Sequence, residues 1–390
     1  MRRSETRILT THAGSLPRSE ALTQAFVRQS HGEVVDATEL GTLVAESTRH
    51  VIEQQRTAGI DVGNDGEQSR ESFFTYVRHR LTGFGEESDR PIMRDLVRYP
   101  SFLRLKLPEF SRPMVSLLRA PKAVGAVRHA DPAAPVRDVE RYTARVAALG
   151  DGFVESFMTA PSPGIVASAM QNAHYPGLPE YVAALAEALR PEYEAIVDGG
   201  LVLQVDCPDL AMERHTLFAD KTLDEFLGFV DVVIQALNRA LDRCPPDRVR
   251  LHVCWGNYEG PHDLDVPLDV LLPHLYRARV GALVLSMANP RHAHEHRCLA
   301  RHPLPAGWLL VAGVIDTTTN YVEHPEVVAE RLERAAVAVG DPRRVLAGTD
   351  CGFDTAAGLG TVAEEVVWAK LRALRDGAEL ASRRMLPGAS

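Results

Sequence analysis

One unit recurs along this chain: a long amphipathic stretch, a glycine-containing break, a short, continuous apolar run and then polar residues. Eight such runs can be counted. They are ILTTHAGS (8–15), AGIDVGNDGE (58–67), GFVESFMTAPSPG (152–164), GLVLQVDCPD (200–209), VRLHVCWGN (249–257), ALVLSMANPR (282–291), WLLVAGVIDT (308–317) and RVLAGTDCG (344–352). None alternates strictly between apolar and polar residues, which is the pattern of parallel strands covered by helices on their outer face. The stretches between them, such as PEYVAALAEALRPEYEAIVDGG, LDEFLGFVDVVIQALNRALDR and PEVVAERLERAAVAVG, repeat apolar residues every three or four positions. Each is an amphipathic helix with one buried stripe. Eight strands alternating with helices over 390 residues predict an α/β fold, a single (β/α)8 TIM barrel spanning 1–390. The segment from about 84 to 150 is too long for one helical return. Rich in Arg and Pro (RPIMRDLVRYPSFLRLKLPEF), it reads as an inserted excursion of short elements beside the barrel mouth. A two-domain dinucleotide-binding fold is the weaker reading, because no glycine-rich phosphate fingerprint follows the first strand.

Composition narrows the partners. A net charge of -9 argues against a nucleic-acid or anionic-membrane surface. No apolar run reaches the roughly 18 residues of a membrane span, and the N-terminus MRRSETRILTTHAGS has no sustained apolar core of a secretory signal. The five cysteines, Cys207, Cys244, Cys254, Cys298 and Cys351, are odd in number and not spaced as a framework. They point to a reducing cytoplasm, with metal-binding or free thiols rather than disulfides.

In a barrel of parallel strands, chemistry gathers where the strands end. Here the ends offer His12, Gly14 and Ser15; Asp65, Glu67 and Gln68; Thr159 and Ser162; Asp206 and Asp209; His252 and Cys254; Ser286 and Asn289; Asp316; and Asp350 with Cys351. His252-x-Cys254 puts two side chains on one side of an extended strand. Cys351, three strands on, can reach the same point, giving the one His and two Cys of a catalytic zinc site with an open fourth position. Small buried cysteines and a satisfied histidine are the plainer alternative. Asp206 reads as a carboxylate for an ammonium or hydroxyl of the substrate, whereas Asp209 reads as a helix-start acid. Glu67 fits either role equally. Gly14-Ser15 could offer amides and a hydroxyl to a carboxylate, or simply form the turn before Pro17. His12 stands open between ligand, acid/base and buried residue.

The ordered motifs HAGSLPR, AGIDVGNDGEQSR, LQVDCPDLAMERH, HVCWGN, SMANPRHAHE, GVIDTTTNYVEHPE and TDCGF resemble the catalytic barrel of the cobalamin-independent methionine synthase family over nearly the whole chain. In length and texture the sequence is closer to short relatives, such as archaeal-type synthases and epoxyalkane:coenzyme M transferases. The resemblance implies a zinc ion on His252, Cys254 and Cys351, which binds a substrate thiol as thiolate for attack on an alkyl donor. It also implies that Ser15, Glu67 and Asp206 hold the amino-acid part of a homocysteine-like acceptor.

Two positions depart from the family pattern. Ser286 stands where the synthases supply a glutamate ligand, and a serine hydroxyl is a poor neutral ligand. Thr317 and Thr318 stand where their leaving-group histidine falls, and neither is an ordinary proton donor. Cys207, where many short relatives have an aspartate, is either an extra soft ligand or a buried small residue.

The reading is a cytoplasmic zinc-dependent methyl or alkyl transferase, methionine synthase-like but outside standard methylfolate:homocysteine chemistry. Its partners are a small thiol or amino-acid-like acceptor and an alkyl donor, with a methylfolate donor and a homo-oligomeric state left open. Asp206 and Asp316 are the expected catalytic acids. Ser15, Glu67, Asp206, Ser286 and Asn289 are the expected substrate contacts. The alternatives are a C–S bond-forming, bond-breaking or epoxide-opening thiol transferase and, in another class, a non-catalytic zinc- or thiol-binding partner protein.

Overall fold

Seven parallel strands form one curled sheet: β1 (Val62–Gly63), β4 (Glu155–Pro161), β5 (Val202–Asp206), β6 (Val249–Val253), β7 (Ala282–Ser286), β8 (Leu309–Ile315) and β9 (Val345–Thr349), in that spatial order. Its two edges do not stay open. Residues 9–11 lie between them: the Thr11 amide donates to the Ala347 carbonyl at 2.8 Å, and the Ala347 amide donates back to Leu9 O at 2.9 Å. On the other flank, the Asp61 and Val62 amides donate to Thr10 O at 3.1 and 2.9 Å. The segment 9–11 is thus the eighth stave, and all eight expected runs contribute one. This is a computed structural model, and it describes residues 1–108, 112–150 and 152–386.

The staves are buried on both faces, as their unbroken apolar sequence requires. Leu9, Val62, Phe157, Val202, Ala282, Val284, Leu309, Val311 and Leu346 form a separate cluster drawn from every stave except β6. The β6 member at this level is Arg250, whose guanidinium lies 3.7 Å from the centre of the Phe157 ring. It donates to Gln204 Oε1 at 2.8 Å, Thr11 Oγ1 at 3.2 Å and His12 O at 3.0 Å. A buried cation stacked on an aromatic face and bonded to three acceptors replaces apolar packing there. The larger core lies between the strands and helices such as Leu178–Asp198, Leu223–Ala240 and Glu364–Met385, whose inward stripes are buried.

The insertion is more ordered than the expected run of short pieces. It opens with an antiparallel ribbon, β2 (Leu81–Glu87) against β3 (Pro121–His129), with short helices Arg94–Arg98 and Pro100–Lys106 between them. It ends in a 16-residue helix, Ala133–Ala148, that leads back to β4. Residues 109–111 of the expected excursion lie outside the described residues. Buried ion pairing of Arg90 with Glu213, and a 2.7 Å hydrogen bond from Tyr258 to Asp95, tie the insertion to loops of the barrel rim. Among the described residues, no helix is long and apolar enough to cross a membrane.

Candidate metal and thiol site

The ligand atoms of His252, Cys254 and Cys351 lie within 4.8 Å of one another. His252 sits on β6, directly opposite Asp206 in the β5–β6 ladder. Two residues on, Cys254 keeps the same side of the chain, and Cys351 arrives from the end of β9. The two sulfurs are 4.0 Å apart, against about 3.8 Å for two thiolates on one tetrahedral zinc with bonds of about 2.3 Å. His252 Nδ1 bonds Asp206 Oδ1 at 2.9 Å. Its Nε2 is buried and has no hydrogen-bond partner among the described residues. Because a stranded buried nitrogen is costly, the donor set fits a soft divalent cation: Nε2 is left for the ion while a carboxylate holds the far side of the ring. The residues are 3, 5 and 8 % exposed, in chain order, so the cluster is almost closed to water.

The three side chains and Asp206 also act on one another electrostatically. Burial opposes charge on His252, but the Cys254 sulfur and the Asp206 carboxylate outweigh it and raise the imidazole to about 10. Of the two sulfurs, Cys254 is the one held as thiolate, well below the ordinary thiol range. It accepts from the Cys351 thiol, and His252 and the Gly256 amide add to the effect.

The carboxylates around this cluster are interlocked. Gln204 Nε2 donates to Asp206 Oδ1 at 2.7 Å and to Ala13 O at 2.6 Å, tying β5 to the first stave. Glu67 is buried, with positive φ at +58°. Its Oε1 accepts from Thr159 Oγ1 at 2.9 Å, and Oε2 has no partner among the described residues. Burial first, and the Asp206 charge second, raise Glu67 to about 7. Glycines make room here. A Cβ on Gly14 would meet Glu67 Oε1 at 2.6 Å, at a φ of +129° that side chains rarely adopt, and one on Gly352 would meet Ser15 Oγ at 2.0 Å. Ser15 therefore packs against the residue following Cys351.

The remaining expected contacts are engaged in building loops. Ser286 Oγ donates to Asp350 O at 2.8 Å. Asn289 donates from Nδ2 to Asp350 Oδ2 at 3.0 Å and accepts from the Arg291 and His292 amides. Asp316 takes three bonds within its own turn, from the Thr318 amide, the Thr318 hydroxyl and the Thr319 hydroxyl, at 2.7–2.9 Å. His12 resolves as a buried residue: Nε2 faces Gln55 Oε1 at 2.8 Å, Nδ1 accepts from the Gly14 amide, and burial lowers it to about 4. Asp209 starts the short helix Asp209–Met212 and accepts from Ser162, which itself caps Pro163–Ala169. Cys207 is fully buried and is not in the metal-ligating group.

Gln204, Arg250 and Asn257 were not singled out from the sequence. Asn257 donates to Gly352 O at 2.8 Å and accepts from Thr317 at 2.9 Å, joining the loops after β6, β8 and β9. The signal for the first two was present. Gln204–Asp206 and Arg250–His252–Cys254 each place polar residues two apart in otherwise apolar strands, which puts them on one inward side.

The model of the "Cobalamin-independent synthase, Catalytic domain" family matches residues 8–97. Over that segment the chain is similar to the catalytic domain of cobalamin-independent synthases. A methionine synthase of Sulfolobus acidocaldarius is 24% identical over 346 residues, covering 88% of this chain and 85% of that protein. A 2-hydroxypropyl-CoM lyase of Xanthobacter autotrophicus is 28% identical over 159 residues, 34% of this chain and 42% of the lyase. The structure of a B12-independent methionine synthase from Shewanella sp., in complex with selenomethionine, superposes with a TM-score of 0.71 at 22% identity. It covers 97% of this chain and 98% of that one, a likeness of fold.

Proposed function

We propose that this chain is a zinc-dependent alkyltransferase, one barrel that delivers a methyl or other alkyl group to a small thiol. The observation that carries the reading is the buried Nε2 of His252, without a hydrogen-bond partner among the described residues, grouped with two cysteine sulfurs and backed by Asp206 through Nδ1. His252, Cys254 and Cys351 would hold the ion, which when bound supplies a Lewis acid that keeps a substrate thiol ionised near neutral pH. Asp206 fixes the ring of His252. Glu67, with a free buried carboxylate oxygen, suits an ammonium group on the acceptor. Ser15, against Gly352, suits its carboxylate. The relatives' names, methionine synthase and 2-hydroxypropyl-CoM lyase, support a thiol or thioether as substrate.

The second reading is a carbon–sulfur bond-forming or bond-breaking enzyme with a non-folate electrophile. Thr317 and Thr318 favour it. Their hydroxyls donate to Asn257 and Asp316, so neither position offers a titratable acid to a pterin leaving group. The test is a mass-spectrometric product assay on the metal-loaded enzyme, with one thiol and one donor varied at a time. Alkylated thiol supports transfer, and methylfolate as the sole active donor removes the second reading. Bound metal with no turnover on any pair would make the protein a metal- or thiol-binding partner instead.

A further inference from the structure

A second group of metal-ligating side chains lies behind the loop that carries Cys254. We propose that His262, Asp265 and His292 bind a divalent first-row transition ion such as zinc, clamping the loop after β6 to the loop after β7. The ligand atoms of the three residues lie within 4.8 Å of one another. Asp265 Oδ2 is 2.9 Å from His262 Nδ1 and 2.8 Å from His292 Nε2. The edges of a coordination polyhedron on bonds of about 2.1 Å are about 3.0–3.4 Å, so a shift of a few tenths seats an ion among them.

The outer atoms of both rings are already placed as they are around metal-bound histidines. His262 Nε2 faces Tyr258 O at 3.0 Å, and His292 Nδ1 faces Glu295 Oε2 at 2.7 Å. Every ring nitrogen thus meets an oxygen acceptor. Without an ion, each ring must carry two N–H groups and a positive charge. With one, each ring keeps a single N–H, on the outer acceptor, and gives its inner nitrogen to the metal. The exchange replaces two protons by one dication, so the net charge of the cluster is unchanged.

Three further observations mark this as a built site. His262 holds a φ of +52°, which is strained for a residue with a side chain. Trp255 stacks on His292 with ring centres 3.8 Å apart, and Tyr258 stacks on His262 at 4.2 Å. His215 is buried, and neither of its ring nitrogens has a hydrogen-bond partner among the described residues, although Nε2 is only 3.3 Å from Asp265 Oδ1. Asp265 Oδ1 is also without one. These two residues supply a further donor beside the three ligands, and His215 also lines a cavity of about 540 Å³ with Leu264 and Arg214.

The experiment titrates metal-stripped, full-length protein with cobalt(II) and follows both stoichiometry and absorption. Two equivalents per chain are expected, one with the sulfur-to-cobalt charge-transfer band of a cysteine site and one with only the weak visible bands of nitrogen and oxygen ligands. Asp265→Asn should lose the second and keep the first; Cys254→Ser should do the reverse. A single equivalent in the wild type, all of it with the sulfur band, overturns the proposal without any variant. Uptake without a sulfur band would support this inference while removing the thiolate site of the proposed function, so the two fail separately.

Discussion

The rim of this barrel has two halves with the same kinds of residue and opposite habits. Around β1 and β6, polar atoms are left over: Glu67 Oε2 and His252 Nε2 are buried without partners among the described residues. Around β7, β8 and β9, the acids at the strand ends are taken up. Asp350 accepts the Met287, Ala288 and Asn289 amides and the Asn289 side chain, all at 2.8–3.0 Å. Asp316 is engaged by its own turn. For the acids at these strand ends, a full set of backbone donors builds the loop, and an oxygen without one is available to a ligand. Position at a strand end decides neither.

The sharpest way to break the comparison is Cys254→Ser, on the β6 side. It should remove the metal held by this cluster and take alkyl transfer to background, while circular dichroism stays native. Retained turnover would mean the unpaired half is not the reacting half. Next in size, Asp206→Asn should weaken that metal by about 10–100-fold in chelator competition, as expected when a carboxylate behind a histidine ligand is lost.

Asp350→Asn tests the satisfied half. It should cost about 1–3 kcal/mol in urea unfolding, because an amide cannot accept all four donors, and it should leave the bound metal in place. Metal loss there would erase the distinction between the halves.

Smaller still is a pH effect at Glu67. Raised from 4.5 to about 7 by burial, it takes up a proton on folding. Its contribution is therefore full below about 4.5 and is lost as pH rises toward 7. Glu67→Gln should flatten that part of the stability profile, and so should an acceptor whose ammonium group binds there.

Much of this was legible in the sequence. All eight staves fall on the apolar runs that end in polar residues, since a strand covered on both faces has no polar period to hide it. The cluster His252, Cys254 and Cys351 was legible because few residue types make soft ligands. The roles of Asp316, Asn289 and Ser286 were not. Whether an acid faces the cleft or its own turn depends on backbone amides two or three residues away, as in Asp316 with Thr318, and on neighbouring strands, as in Asn289 with Asp350. The single residue Ser286 gives no hint that its hydroxyl points at the carbonyl of Asp350. The ordered ribbon β2–β3 was hidden too, because few of its positions are buried, and its strands lack the apolar continuity that marks the barrel.

The eighth stave also sets an order of events. Residues 9–11 are made first yet bond to Ala347, and the Ala13 amide reaches Thr349 across 336 residues of chain. Such a closure is among the most non-local contacts a chain of this length can form, and contacts of that kind slow folding. Without residues 9–11 between β1 and β9 the sheet is an open trough, and β9 delivers Cys351. Complete thiolate ligation is therefore a property of the closed barrel only. A time course of sulfur-to-cobalt absorption during refolding would act as a clock for the final step, appearing no sooner than the first and last strands meet.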